Sequence, residues 1–489
     1  MKPLNDTDRE RDDGTRMRSV AMAVISMLLL SSLTGCVLVN QEKSIAGDMV
    51  GDLPETWTGG HREIPGGAIT GWLSDFQSPE LTKLVHEAVE RNYDLAATYA
   101  RVEQAQERAR IAGSDRVPSL DSGIQTTRSQ NLRGASFQSV RANSFNFSLD
   151  VSWEVDLWGR VKNLRDSQWD LVTAQSNLYE ASRLSLAANV AKTAFEILES
   201  QAQIRLTRRN ISSLRTNLDI LDSKLEAGDA DDGTALEISL SRADIARADS
   251  NLLAEQQQED AARRTLETLL GRYPAGSIKA LGSLPRPSRE VPVGLPSDLL
   301  LRRPDLLEAE ARVDSSLKEL AASRKALLPA VAITGGAGTS TTDEFSDIFD
   351  IQNLVWNLGQ NLTRPIYQGG RLKANIRLDE SEKDELISSY AETALTAFRE
   401  VETALAAENY LLGQVNALAQ ASEESRLAEG LSRSQYEQGL VDIITLLESQ
   451  RRSFDAQSSL LAVKLELLRN RVDLYLALGG DFDHPLIEK

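Results

Sequence analysis

Side chains able to do covalent or metal chemistry are scarce in this 489-residue chain, and those present are dispersed. There is one cysteine, Cys36, so no internal disulfide can form and a structural zinc site lacks its ligands. The three histidines, His61, His86 and His484, lie far apart in sequence. The chain contains no GxxxxGK phosphate loop, no HExxH and no GxSxG. The glycines of TGGAGTS (334–340) lack the lysine and the following helix that a phosphate cradle needs. With no convergent catalytic set, the expectation is a protein that is not an enzyme and holds no metal.

Cys36 still has a telling position. It follows the apolar run SVAMAVISMLLLSSL (Ser19 to Leu33), too short for a comfortable spanning helix and right for the apolar part of a secretory leader. Leu33-Thr34-Gly35-Cys36 resembles a lipobox: an aliphatic residue, two small residues, then cysteine. The resemblance implies cleavage after a leader of residues 1–35 and acylation of Cys36, palmitate included. That covalent lipid is the only non-protein group expected, and no cofactor is. Residues 1–18 mix acids and bases, whereas MRSVAMAVIS gives a cleaner leader, so Met17 is the expected start.

The formal net charge is −18, and the leader contributes five bases and five acids, so the remainder keeps that charge. Such a balance argues against nucleic acid as a partner. No later stretch offers about twenty consecutive apolar residues, so no spanning helix is expected.

The elements come from proline placement and periodicity. No proline occurs between Pro118 and Pro274 or between Pro365 and Pro485, and both intervals are rich in helix-forming residues. Leu447, Phe454, Leu461 and Leu468 recur every seven residues, a coiled-coil-like seam. The chain also repeats itself at one constant offset. RNYDLAATYARV (91–102) aligns with RRPDLLEAEARV (302–313), Pro118 with Pro329, and Gly159-Arg160 with Gly370-Arg371. Gly228 aligns with Gly439, and Leu236-Glu237 with Leu447-Glu448. Two structural repeats follow, 78–283 and 297–480, joined by the Pro-rich connection 284–296. A segment 36–77 precedes them and a tail 481–489 follows.

Each repeat is expected to hold two strands and two long helices. The strands are placed at about 119–129, 144–157, 330–340 and 352–366, and the helices at about 160–227, 234–270, 369–437 and 442–478. An unbroken helix of the first or third kind would be roughly 100 Å long. In the second strand Phe145, Phe147, Leu149, Val151 and Trp153 alternate with polar residues, which puts every apolar side chain on one sheet face. Such a strand is long enough to cross a bilayer while tilted. Four strands cannot enclose a barrel with any interior, and a spanning sheet must close. The chain must therefore oligomerise if the strands span. Two copies would give eight strands with a side-chain-filled interior, and three would give twelve around water.

With those residues in view the chain resembles the outer membrane factors, TolC-like outer membrane efflux proteins, of the lipoprotein branch that includes OprM and NodT. GLPSDLLLRRPDLLEAEARV (294–313) carries the resemblance most specifically. VDLWGRV (155–161), PIYQGGRLKANI (365–376), TAFREVETAL (396–405) and LYLALGG (474–480) add to it. The resemblance implies a mainly α fold with membrane β: a homotrimer sharing a twelve-stranded transmembrane β-barrel and a periplasmic α-barrel of long helices. It implies a passive duct exporting small molecules, with a periplasmic adaptor (a membrane fusion protein) at the helical tips and an inner-membrane pump of the RND type. Val37 after the lipidated cysteine implies outer-membrane sorting, and the apolar strand faces would meet outer-membrane lipid.

Gly228, Asp229, Asp231 and Asp232 at the first tip, with Gly439 and Leu440 at the second, then become the hairpin turns where an adaptor docks. The acids of the first tip read either as a solvated turn or as a negative mouth favouring cationic cargo. Ile444 and Glu448 fall on the constricting positions of the family pattern, where leucine and aspartate are usual, and share a helix face; Asp442 is a third gate candidate. Three converging Glu448 side chains would repel one another until docking splays the helices. Two other readings remain open: an envelope-spanning structural lipoprotein with soluble strands, and the same duct serving protein secretion.

Overall fold

The computed structural model describes residues 57–58, 71–133, 138–227, 234–278, 282–286, 291, 296–342 and 344–480, all within the unit Val50–Lys489. Cys36, the leader and the 481–489 tail lie outside the described residues.

Helix boundaries follow local chemistry. Helix α1 (Pro79–Arg91) begins with Pro79 at its first turn, and the Ser78 hydroxyl accepts from Leu81 N. Asn92 ends it and caps α2 (Tyr93–Ser114) by accepting from Leu95 N at 3.0 Å. Strand β1 (Ser119–Arg133) and strand β2 (Gln138–Val155) follow. The Asp156 carboxylate then accepts from Val161 N and Lys162 N, at 3.1 and 2.7 Å, and so caps the 67-residue α3 (Arg160–Glu226). Helix α4 (Thr234–Leu269) returns antiparallel to it. The second repeat runs α5 (Pro304–Lys325), β3 (Ala330–Thr341), β4 (Leu354–Thr363), α6 (Arg371–Glu437) and α7 (Ile443–Ala477). Helix α6 also has 67 residues, so the two long helices match in length as the repeat requires.

Helix α3 packs against α1, α2, α4, α5 and α7, while α6 packs against α5 and α7. The main core sits where these helices cross. Phe195 of α3 and Tyr475 of α7 meet Trp72 and Phe76, and Val85, Leu266, Leu306, Val401 and Val472 fill around them. A buried ionic set ties the same crossing together. Arg471 pairs with Glu408 and with Asp75, and the Tyr475 hydroxyl donates to Asp75 at 2.9 Å. Burial and the neighbouring Asp75 carboxylate push the Tyr475 phenol far above its usual range.

The motifs that carried the resemblance specify this junction. Arg303 is nearly buried and donates to Glu400 of TAFREVETAL at 2.7 Å, to Asp305 at 2.6 Å and to Ala477 O at 3.1 Å. Gly479 of LYLALGG takes φ +67, and a Cβ there would lie 3.2 Å from the Arg302 carbonyl. Two distant motifs are therefore one contact: the turn after α7 closes on the backbone that starts α5. The Trp158 indole of VDLWGRV donates to Pro329 O at 2.7 Å, joining the two repeats at the base of the strands.

Candidate functional site

The strand layer is a four-stranded antiparallel sheet in the order β1-β2-β3-β4. Strand β2 extends from residue 138 to 155, whereas the alternation suggested 144–157; it starts earlier because its pairing with β1 continues from Ser152–Ser119 out to Gln138–Arg133. Directly opposed residues share a face. On one face Leu120 and Ile124 of β1 join Phe147, Leu149, Val151 and Trp153 of β2, Val331 and Ile333 of β3, and Trp356, Leu358 and Leu362 of β4. The other face carries Asp121 and Gln125, then Asn146, Ser148, Asp150 and Glu154, then Thr334 and Ser340, then Asn357 and Asn361. Phe145, Phe147, Leu149, Val151 and Trp153 thus share one apolar surface. In a soluble sandwich that surface would be buried. Here Trp356 is 75 % exposed and Leu358 74 %. The outer edges of β1 and β4 have no strand partner among the described residues.

At its far end the second hairpin turns at Gly439, whose φ of +71 is the left-handed conformation that a helix stop needs. Gly439 N donates to Tyr436 O and Leu440 N to Gln435 O, closing α6, and Leu440 projects into solvent. Gly228, Asp229, Asp231 and Asp232 lie outside the described residues. Asp442 serves as the N-cap of α7: its side chain accepts from Thr445 N at 2.8 Å, and hydrogen bonding from Thr445, its hydroxyl first and then its backbone N–H, holds the carboxyl below the usual range. Ile443 is buried beside Leu446, Leu221 and Ile238, which leaves Ile444 exposed on the next face. Glu448 lies one turn further on. Its carboxylate takes Arg452 Nε at 2.8 Å and Arg451 Nη2 at 2.7 Å, and the two guanidiniums, Arg452 foremost, lower its pKa. The chain therefore presents a Glu–Arg–Arg set at this level rather than a bare carboxylate.

The residues that join the two hairpins were not found by sequence reasoning. Asn217 of α3 donates to Gln450 Oε1 of α7 at 2.8 Å, and Gln450 Nε2 donates to Ser213 of α3 at 3.0 Å. Arg433 of α6 reaches the same Ser213 hydroxyl at 2.7 Å. Lys224 of α3 donates to the Tyr436 hydroxyl at 3.4 Å and stands over its ring. Polar residues inside helical runs look like a solvated face, and nothing local marks their partners. Among the described residues no cluster of histidine, cysteine and carboxylate side chains is arranged to hold a metal, and no helix is long and apolar enough to cross a membrane.

Comparison with known proteins places these features. Residues 84–272 and 295–480 match the family described as outer membrane efflux protein, one match per repeat. The pyoverdine export outer membrane protein OpmQ of Pseudomonas putida is 35% identical over 423 residues, covering 84% of this chain and 87% of its own. Outer membrane protein OprJ of Pseudomonas aeruginosa is 32% identical and is covered over 97% of its length by 96% of this chain. The open-state structure of the Neisseria gonorrhoeae MtrE outer membrane channel superposes with a TM-score of 0.79 at 26% identity, over 88% of this chain and 96% of that one.

Proposed function

The chain belongs to the outer membrane efflux protein family and is the outer membrane channel component of an efflux system, and from that premise we propose how it is assembled, anchored and closed. Three copies close a twelve-stranded barrel, and the long helices continue the duct into the periplasm. Cys36 carries the lipid that anchors the chain from the periplasmic side. The cargo is a small molecule delivered by an inner-membrane pump of the RND type, through an adaptor that docks at the hairpin turns around Gly228 and Gly439. The duct itself supplies no energy.

The observation that carries this reading is the sheet: apolar on one face and polar on the other, its apolar face open over β4 and the helical half, covered only near Phe145 by the Phe345–Phe349 turn, and with no strand partner at either edge among the described residues. Backbone groups at a free edge in hydrocarbon cost several kcal/mol each, so a lipid-facing sheet of this kind closes with copies of itself. At the periplasmic end we assign constriction to Ile444, which projects from α7 with Ile443 held in the core behind it. Asp442 starts the helix that carries the constriction. Glu448 with Arg451 and Arg452 forms a charged ring of mixed sign below it.

Purified protein reconstituted in a planar bilayer is expected to give discrete conductance steps and to migrate as a trimer that heating separates. A water-soluble monomer without conductance would overturn the reading.

A further inference from the structure

The register of the sheet places two arginines where the lipid-facing surface ends. On β2 the apolar face runs from Val155 to Phe145, ten residues along the strand. At about 3.3 Å per residue and a tilt near 40° this rises roughly 25 Å, the height of the lipid-facing band of an outer-membrane barrel. Strand β1 leaves α2 at Ser119, so the helical end of the sheet is the end at residues 119, 155, 330 and 363, and the 133/138 end points away from it. Beyond Phe145 the same face continues through Asn143, opposite Arg128, to Arg141, opposite Gln130. Arg128 and Arg141 are diagonal neighbours on adjacent strands, about 7–8 Å apart at the backbone, a spacing one phosphate group can bridge. They begin one residue pair past the apolar band, roughly 5–10 Å higher, which is the headgroup level.

Both side chains are exposed. Arg141 Nε donates to Gln130 Oε1 of β1 at 3.2 Å, and neither arginine forms an ion pair among the described residues. Among the described residues, the acids that follow β3 at this end, Glu344, Asp347 and Asp350, lie on the far side of β2 and are engaged as caps of the short helices Phe345–Phe349 and Ile351–Asn353. The aromatic ring of Phe345 packs edge-on against Phe145, two residues short of Asn143 on the same face, so the apolar band ends in aromatic side chains on the β2–β3 side.

We propose that Arg128 and Arg141 form a binding patch for the phosphate groups of phosphorylated lipid in the outer leaflet, one patch per protomer. Guanidinium groups suit phosphate because their fork of donors matches its oxygens. The proposal rests on the reading that the apolar face meets lipid.

The test uses full-length trimer in detergent, titrated with bis-phosphorylated lipid A, with lipid A stripped of both phosphates, and with inorganic phosphate, with lipids bound per trimer counted by native mass spectrometry. Bis-phosphorylated lipid A is expected to bind. R128Q/R141Q is expected to lose about fivefold per arginine, roughly 25-fold together, while Q125A on the opposite face keeps native binding. Equal binding by the double variant, equal binding of stripped lipid A, or occupancy of the patch by inorganic phosphate with no bis-phosphorylated lipid A bound would each overturn the proposal. Conductance is recorded on the same preparations. Native conductance with unchanged lipid binding removes this proposal alone, whereas absence of trimer and conductance removes the channel reading beneath it.

Discussion

Replacing Leu358 by arginine asks directly which face of the sheet meets hydrocarbon. Leu358 stands opposite Gly335, which stands opposite Val151, which stands opposite Leu120, so all four lie at one level. On β2 that level is close to the middle of the apolar run from Phe145 to Val155. An arginine on the lipid face at the bilayer midplane costs about 2–4 kcal/mol per copy. Three copies in one barrel bring this to roughly 6–12 kcal/mol, as large as the whole stability of many domains. Asn357, one residue earlier, points to the other face beside Asp150 and, through it, Asp121. Asn357→Arg puts a cation near two carboxylates in water and is expected to assemble normally. The assay is the yield of heat-separable trimer in outer-membrane fractions, with total protein measured alongside. Leu358→Arg is expected to abolish the trimer and Asn357→Arg to keep it. Equal yields, or the reverse order, would refute the assignment of faces and with it the barrel.

Arg303→Leu removes a nearly buried guanidinium from Glu400 and Asp305; because both carboxylates keep access to water, the expected loss is about 2 kcal/mol, read as a lower unfolding temperature of the detergent-solubilised protein. Burial raises the Glu199 carboxyl above its ordinary 4.5. Unfolding lets Glu199 ionise more readily, so its contribution falls as pH rises from 4.5 to the raised value and is flat above; Glu199→Gln should flatten that slope and stabilise the protein at pH 8, and an unchanged profile would count against the burial. Gly439→Ala meets open space but must hold φ +71, so it should cost about 1 kcal/mol locally, seen as faster amide exchange at Tyr436 to Leu440 with no change at the core. Ile444→Ala with Glu448→Ala should raise uptake of a large antibiotic by cells, and unchanged permeability would count against Ile444 as the constriction.

Much of this fold is visible in the sequence because its signals are periodic and long. The alternation around Phe145–Trp153 is carried by the backbone geometry of a strand, whatever its partners. The α3 and α6 helices are bounded by glycines and contain no proline, so their limits follow from local rules. Strand β4 is harder to read because Gln360 sits among apolar residues on its apolar face, near the helical end. The gate region divides similarly. The Arg451 and Arg452 partners of Glu448 lie three and four residues away on one helix, and that spacing was open to inspection. The Asn217–Gln450 link was not, since 233 residues separate its ends and nothing in either local sequence names the other.

The sheet also constrains how copies join. Its four strands alternate in direction, so β4 runs antiparallel to β1. When the β4 edge of one copy meets the β1 edge of the next, the junction continues the same antiparallel ladder. A two-fold pairing of like edges would either turn one copy upside down, which the long helices at one end of every strand forbid in a single membrane, or keep it upright and turn its apolar face to the opposite side of the sheet. Assembly is therefore head to tail and must close as a ring. The junction is limited by the shorter edge, the 10 residues of β4, which at about 3.3 Å each and a 40° tilt again give roughly 25 Å. In the proposed trimer the intersubunit ladder would thus span the hydrocarbon and no more. The further reach of β1 and β2, with Arg128 and Arg141 on it, stands above the membrane core, where copies need not pair and where polar groups can meet headgroups and water.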